Sequence, residues 1–147
     1  MKHIDAVYPK NPSPCNCLNV RRASRAVTDF YDRILKPSGL TIAQLGLLLS
    51  LQRAGGGTIG GLAGLMRIDR TTLNRNLKPL ADAGLLTVSP GKDSRTRQVA
   101  LTAAGHEAVA RGGVLWLEAQ AALREYLGEE DLARLTALLA KLEALAP

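Results

Sequence analysis

Arg70, Thr71, Asn74, Arg75 and Lys78 recur at three- and four-residue steps in RTTLNRNLKPLADAG, residues 70–84. On a helix that spacing gathers them on one side and sends Leu73, Leu77 and Leu80 to the other. Arg offers a fork of donors that matches guanine, Asn matches adenine, and Thr is short enough to reach either kind of base edge. Thr72 and Lys78 are placed for phosphates. The set suits the major groove of a double helix, although a merely solvated polar face would use the same residue types.

A second set follows in PGKDSRTRQVALTAAG, residues 90–105, where Lys92, Arg95 and Arg97 surround the single acid Asp93 ahead of Val99 and Leu101. A cationic loop tip can enter a narrow minor groove, where negative potential is concentrated, and Arg95 is the residue expected there. Asp93 is expected to pair with Arg95 or Arg97 and hold the tip in shape. The third set is Cys15 and Cys17 in CNCLNVRRASRAVT, residues 15–28, at the start of a helix with Arg21 and Arg22 one turn on. Helix N-termini and nearby cations are surroundings in which thiols become reactive. Peroxide sensing at Cys17, with Cys15 as resolving thiol, is one reading and inert thiols are the other.

These residues need positioning elements, and the apolar pattern supplies them. Leu18, Val20, Ala23, Val27, Phe30, Ile34 and Leu35 predict an amphipathic helix stopped by Pro37 and Gly39. TIAQ, residues 41–44, has the form of a capping box, and the leucines after it predict a helix buried on most sides. AGGG, residues 54–57, breaks the chain, leaving room at Thr58 and Ile59 for a very short strand. GGLAGLMR predicts a short helix from Gly60, weakly capped. Asp69 caps the next helix, which Pro79 should bend and Gly84 should end. LLTVS and RQVAL, either side of PGKDS, predict a hairpin whose turn Gly91 permits. Thr102 starts a long helix to about Leu127, and Glu129, Glu130 and Asp131 open a last one with a leucine stripe from Leu132 to Leu145.

The fold class expected is therefore mainly α with a small β-hairpin: a winged helix-turn-helix over residues 40–101, and a helical dimerisation region over 15–36 and 103–146. The apolar stripes of the first and last helices exceed what one 147-residue domain satisfies. Pairing two chains through them would set two recognition helices about one DNA turn apart, matching an inverted repeat.

Charge supports a polyanion partner. The chain carries a net +6, and residues 67–97 hold seven cations against three acids, whereas residues 102–147 hold four against seven. With 46% apolar and 22% charged residues it is expected to be globular, and no apolar run reaches the roughly 18 residues that a membrane span needs. MKHIDAVYPKNPSP lacks the apolar core of a signal peptide, so a cytoplasmic protein with reduced thiols is expected. His3 and His106 are too few to complete a Cys-x-Cys metal site, and a Cys17–His106 pair has no readable third group to make an enzyme. No cofactor or metal is expected. An architectural DNA binder that reads only phosphates remains the alternative function.

DRTTLNRNLKPLADAGLL resembles the recognition helix of the MarR family of winged-helix transcriptional regulators, and GKDSRTRQVALTAAG resembles its wing, an Asp-x-Arg followed by a strand and Leu-Thr-x-x-Gly. Gly60 and Gly61 stand where that family more often has a polar cap. The resemblance spans about the whole chain and implies a homodimeric, sequence-specific DNA-binding regulator, usually a repressor. It implies release by an aromatic or anionic molecule bound between the dimer helices and the winged domain, where Arg21, Arg25, Gln44 and Trp116 are candidate lining. CNCLNVRRASRAVT is similar to the first helix of the family's organic-hydroperoxide-sensing branch, whose reactive cysteine would fall on Cys17. Where that branch is expected to carry a tyrosine, this chain has Arg21.

Overall fold

The computed structural model describes Ile4, residues 9–93 and residues 95–147. His3 and Ser94, with most of the first eight residues, lie outside the described residues. Helix α1, Asn16–Leu35, starts after Cys15, whose side chain makes no capping bond. Asn19 folds back instead, accepting from Ser13 N and donating to Ser13 O, each at 2.8 Å. Only the second half of α1 reaches the core, through Phe30, Tyr31, Ile34 and Leu35. Pro37 lies in a single 3-10 turn, Lys36–Ser38, that ends at Gly39 with φ 77°.

Helix α2, Ile42–Ala54, carries the expected capping box of Thr41 and Gln44. Asp32 of α1 adds an anion at the same helix start, accepting from Ile42 N at 2.7 Å. Leu45, Leu47, Leu48 and Leu51 bury α2 in the centre of the molecule. Gly55, φ 68°, then turns the chain into β1, Gly57–Thr58.

Helix α3 runs Ile59–Met66, one residue earlier than the glycine pair suggests. It is not weakly capped: Thr58 ends the short strand and its hydroxyl accepts from Gly61 N at 3.0 Å, satisfying a donor that the helix leaves open. Arg67 closes α3 in the left-handed conformation, φ 56°. Helix α4, Arg70–Asp82, follows from the Asp69 cap and continues through Pro79 as one element.

The hairpin is β2, Leu86–Pro90, and β3, Arg97–Leu101, with Val88 opposite Val99. Strand β1 adds to the free edge of β3, so the sheet is three-stranded and antiparallel in the order β1-β3-β2. Thr102 then joins sheet to helix, donating to Gly84 O at 2.7 Å and accepting from Gly105 N at 3.0 Å. Helix α5, Ala103–Leu127, crosses the core closely: a Cβ on Gly105 would collide with Leu85 O, and one on Gly112 would lie 2.9 Å from Leu45 Cδ1. Tyr31 donates to Gln120, tying α1 to α5, and burial pushes the Tyr31 phenol above its ordinary value. Gln52 and His106 Nδ1, 2.9 Å apart, tie α2 to α5.

Helix α6, Glu129–Glu143, buries no residue. Leu135, Leu138, Leu139 and Leu142 are exposed on it, and Leu145 beyond its end is 82% exposed. Val20 and Val27 of α1, and Val114, Leu117 and Tyr126 of α5, are exposed as well. No single described helix is long and apolar enough to cross a membrane.

Candidate nucleic-acid interface

Helix α4 is held from beneath by Leu73, Leu77 and Leu80, all buried. Arg70, Thr71, Asn74, Arg75 and Lys78 are all exposed, as the spacing predicts. Its first turn is fixed by Asp69, whose carboxylate accepts from Thr72 N at 2.8 Å and from the Thr72 hydroxyl at 3.0 Å. Those two bonds hold the Asp69 carboxyl below its ordinary value. In the DNA-free chain the Thr72 hydroxyl, expected at a phosphate, donates to the cap. Lys78 lies 3.3 Å from Asp82, an exposed i,i+4 pair too weak to withhold the ammonium from a phosphate.

The wing is braced differently from the sequence expectation. Among the described residues no ion pair joins Asp93 to Arg95 or Arg97. Asp93 Oδ1 accepts instead from Arg95 N at 2.8 Å and Thr96 N at 3.0 Å, an Asx-type turn closed on the backbone. The physical reason is proximity: amides two and three residues on are fixed donors, whereas an arginine must give up rotamer freedom in water to pair. Gly91 is also needed for a different reason. Its φ is not positive; a Cβ there would collide with Thr96 Oγ1, across a turn closed by Gly91 N donating to Thr96 O at 2.7 Å. Lys92, Arg95 and Arg97 are left exposed.

A groove of about 650 Å³ lies between α4, the wing and the first turn of α3. Arg70, Asn74 and Lys78 line it from α4, and Arg95, Thr96 and Arg97 from the wing. Thr58, Ile59 and Gly60 close its third side, and Leu77, Ala81 and Val88 contribute apolar surface. The sequence set is thus split: Arg70, Asn74 and Lys78 face the wing, whereas Thr71, Arg75 and Lys92 are exposed outside this lining. The α3 residues were missed by sequence reasoning; Thr58 ahead of an apolar run is the capping signal that points to them. Arg67, one of the cations in the basic segment, donates to Glu143, so the turn before α4 is tied to the end of α6.

Cys15 and Cys17 are free and exposed at the start of α1. The four candidate effector residues have separate surroundings. Gln44 accepts from Thr41 N within the capping box, Trp116 packs against the core, and Arg21 and Arg25 are exposed on α1. Among the described residues, no group of three or more His, Cys, Asp and Glu is gathered that could hold a metal ion.

The model of the MarR family matches residues 38–96, from the turn before α2 to the tip of the wing. Solved structures match over nearly the whole chain. The M. tuberculosis transcriptional regulator MosR in complex with DNA is 36% identical, with a TM-score of 0.81 over 90% of this chain and 96% of that one. A variant of E. coli MarR complexed with operator DNA is 26% identical, TM-score 0.72, over 86% and 94%. The transcriptional repressor CouR, bound to a 23-mer DNA duplex, is 26% identical, TM-score 0.78, over 88% and 92%. Comparison with curated proteins gave no match. The chain belongs to the MarR family, and is a winged-helix transcriptional regulator that binds DNA.

Proposed function

We propose that this regulator is a repressor that binds an inverted-repeat operator as a homodimer and leaves it on binding a small molecule or on thiol oxidation. The observation that carries the DNA reading is the shared groove, in which Arg70, Asn74 and Lys78 of α4 face Arg95 and Arg97 of the wing. Helix α4 enters the major groove, where Thr71, Asn74 and Arg75 meet base edges and Lys78 meets a phosphate. The wing reaches the neighbouring minor groove with Arg95, while Lys92 and Arg97 supply phosphate contacts. Asp93 touches no DNA; it holds the tip.

Two copies are supported by the exposed apolar residues of α1, α5 and α6, which a second chain would cover. Residues 15–36 and 103–146 form that dimerisation region, and residues 40–101 the DNA-binding unit. Repression follows from an operator covered by a bound dimer, and the solved CouR structure is that of a repressor on DNA. Release has two routes. An aromatic or anionic effector would lodge between the dimer helices and the winged unit, near Trp116, Arg21 and Arg25; Gln44, committed to its cap, contributes least. Cys15 and Cys17, exposed at the start of α1, are the thiol route.

The test is a duplex selected by the protein from a random pool, titrated in mobility shifts at physiological salt beside a scrambled duplex of equal length. Selective binding by a dimer supports the reading. Equal affinity for both duplexes overturns it in favour of an architectural binder. Adding hydroperoxide to the same titration, with Cys17→Ser beside the unmodified chain, decides the thiol route.

A further inference from the structure

Gly60 stands inside α3 with an ordinary helical backbone, so no turn demands it, and glycine there weakens the helix relative to alanine. Its explanation lies ten residues along the chain. A Cβ on Gly60 would sit 2.6 Å from Arg70 Nη2, 3.3 Å from Cζ and 3.6 Å from Nε, so the Nε–Nη2 edge of the guanidinium lies against the bare backbone of α3. Gly60 and Arg70 line the same groove as Arg95 and Arg97. Gly64, in the same helix, is exposed and would meet nothing within 4 Å.

We infer that Gly60 is a positioning residue for Arg70, and that Arg70, laid over α3 toward the wing, is a phosphate clamp and not a reader of bases. With α4 in the major groove and the wing in the minor groove, the sugar-phosphate strand between the two grooves runs over the space that Arg70, Arg95 and Arg97 share. A guanidinium folded along α3 meets that strand before it meets any base edge. Its fork of donors suits a phosphate, whose contacts fix register without reading sequence. A side chain at Gly60 pushes the guanidinium off this path, because the arginine tip gives way more easily than the helix backbone.

The inference rests on the DNA-binding reading, and the two fail differently. Gly60→Ala, Gly64→Ala, Arg70→Ala and the Gly60→Ala/Arg70→Ala double variant are titrated with the selected and the scrambled duplex over a range of salt, with Arg75→Ala and Arg95→Ala alongside. Arg70→Ala is expected to weaken both duplexes by the same factor, about tenfold, and to lower the salt slope by about two, one contact from each chain of the dimer. Gly60→Ala is expected to do the same in part, roughly three- to tenfold, and to add nothing once Arg70 is gone. Gly64→Ala should bind like the unmodified chain, with thermal melting showing every variant folded. Three results overturn the inference: unchanged binding by Gly60→Ala, an equal loss from it in the Arg70→Ala background, or a loss from Arg70→Ala confined to the selected duplex. Unchanged binding by Arg70→Ala, Arg75→Ala and Arg95→Ala together overturns the DNA reading itself.

Discussion

The groove between α4 and the wing and the outer face of α6 are both surface, yet they are built in opposite ways. In the groove, polar and cationic side chains stand on a fully buried footing: Leu73, Leu77 and Leu80 under α4, and Val99, 1% exposed, under the wing. On α6 the footing is slight, since none of its residues is buried and Leu135, Leu138, Leu139 and Leu142 are exposed. A polar surface fixed from below is complete in one chain and waits only for a ligand. An apolar surface left uncovered by the described residues is a candidate interface, because exposed apolar area of that extent marks interaction sites. The difference suits two kinds of partner: a polyanion for the first region and, on the proposed reading, a second copy for the other.

Breaking the apolar half should have the largest effect. Replacing Leu138 and Leu142 by Glu puts charge where a second chain would bury leucine, and the protein should run as a monomer in analytical ultracentrifugation. Losing simultaneous engagement of two half-sites should weaken operator binding roughly a hundredfold or more, and the melting temperature should fall and lose its dependence on protein concentration. A dimer that survives both substitutions would remove α6 from the interface. Next in size is the seam between the two regions. Gly105→Ala drives a methyl into Leu85 O, which is already held by Thr102 N at 3.2 Å, so neither side can retreat. Overpacking of this kind costs about 1–3 kcal/mol, read as a lower Tm in thermal unfolding; an unchanged Tm would mean that the seam relaxes freely.

How much of this was legible in the sequence depended on how local each cause was. Helices α2, α4 and α5 could be placed because Thr41, Asp69 and Thr102 are caps whose partners lie within three residues. The exposed polar residues of α4 could be named because helical period sorts them from the three buried leucines. The bracing of the wing could not, since Asp93 has arginines and backbone amides equally near in sequence, and only closed-loop geometry decides between them. Thr58 was read as strand although it is also the cap of α3, because a two-residue strand leaves no period to mark its end. The contact of Gly60 with Arg70 spans a turn between two helices, and nothing in the spacing of either reports it. Helical period and unambiguous caps were legible; a choice between equally local partners and contacts between elements were not.

The polar half can be tested with smaller changes. Arg95→Ala keeps the Asp93 turn, since Asp93 accepts from the Arg95 backbone N and not from its side chain. Binding to the selected duplex should fall about tenfold, and the salt slope by about two charges, one from each wing of the dimer. Unchanged affinity in the mobility shift would take Arg95 out of the minor groove and leave the wing a solvated turn.

The smallest effect is expected from acid, and it falls on the footing of α4. Asp69 is held below its ordinary value in the folded chain by two bonds from Thr72, so folding favours its charged form. A carboxyl depressed in this way contributes stability that is complete above its unfolded pKa and is lost as pH falls through the folded one. The loss should therefore develop below about pH 4, and neutral solutions should show none of it. Asp69→Asn keeps an oxygen to accept from Thr72 N but has no proton to gain. Melting temperatures followed from neutral pH downward should separate the two chains: the unmodified protein gains less and less over Asp69→Asn as the carboxyl protonates. Parallel curves would show that the charge on Asp69 contributes nothing, and that the start of α4 is held by the cap geometry and the leucines alone.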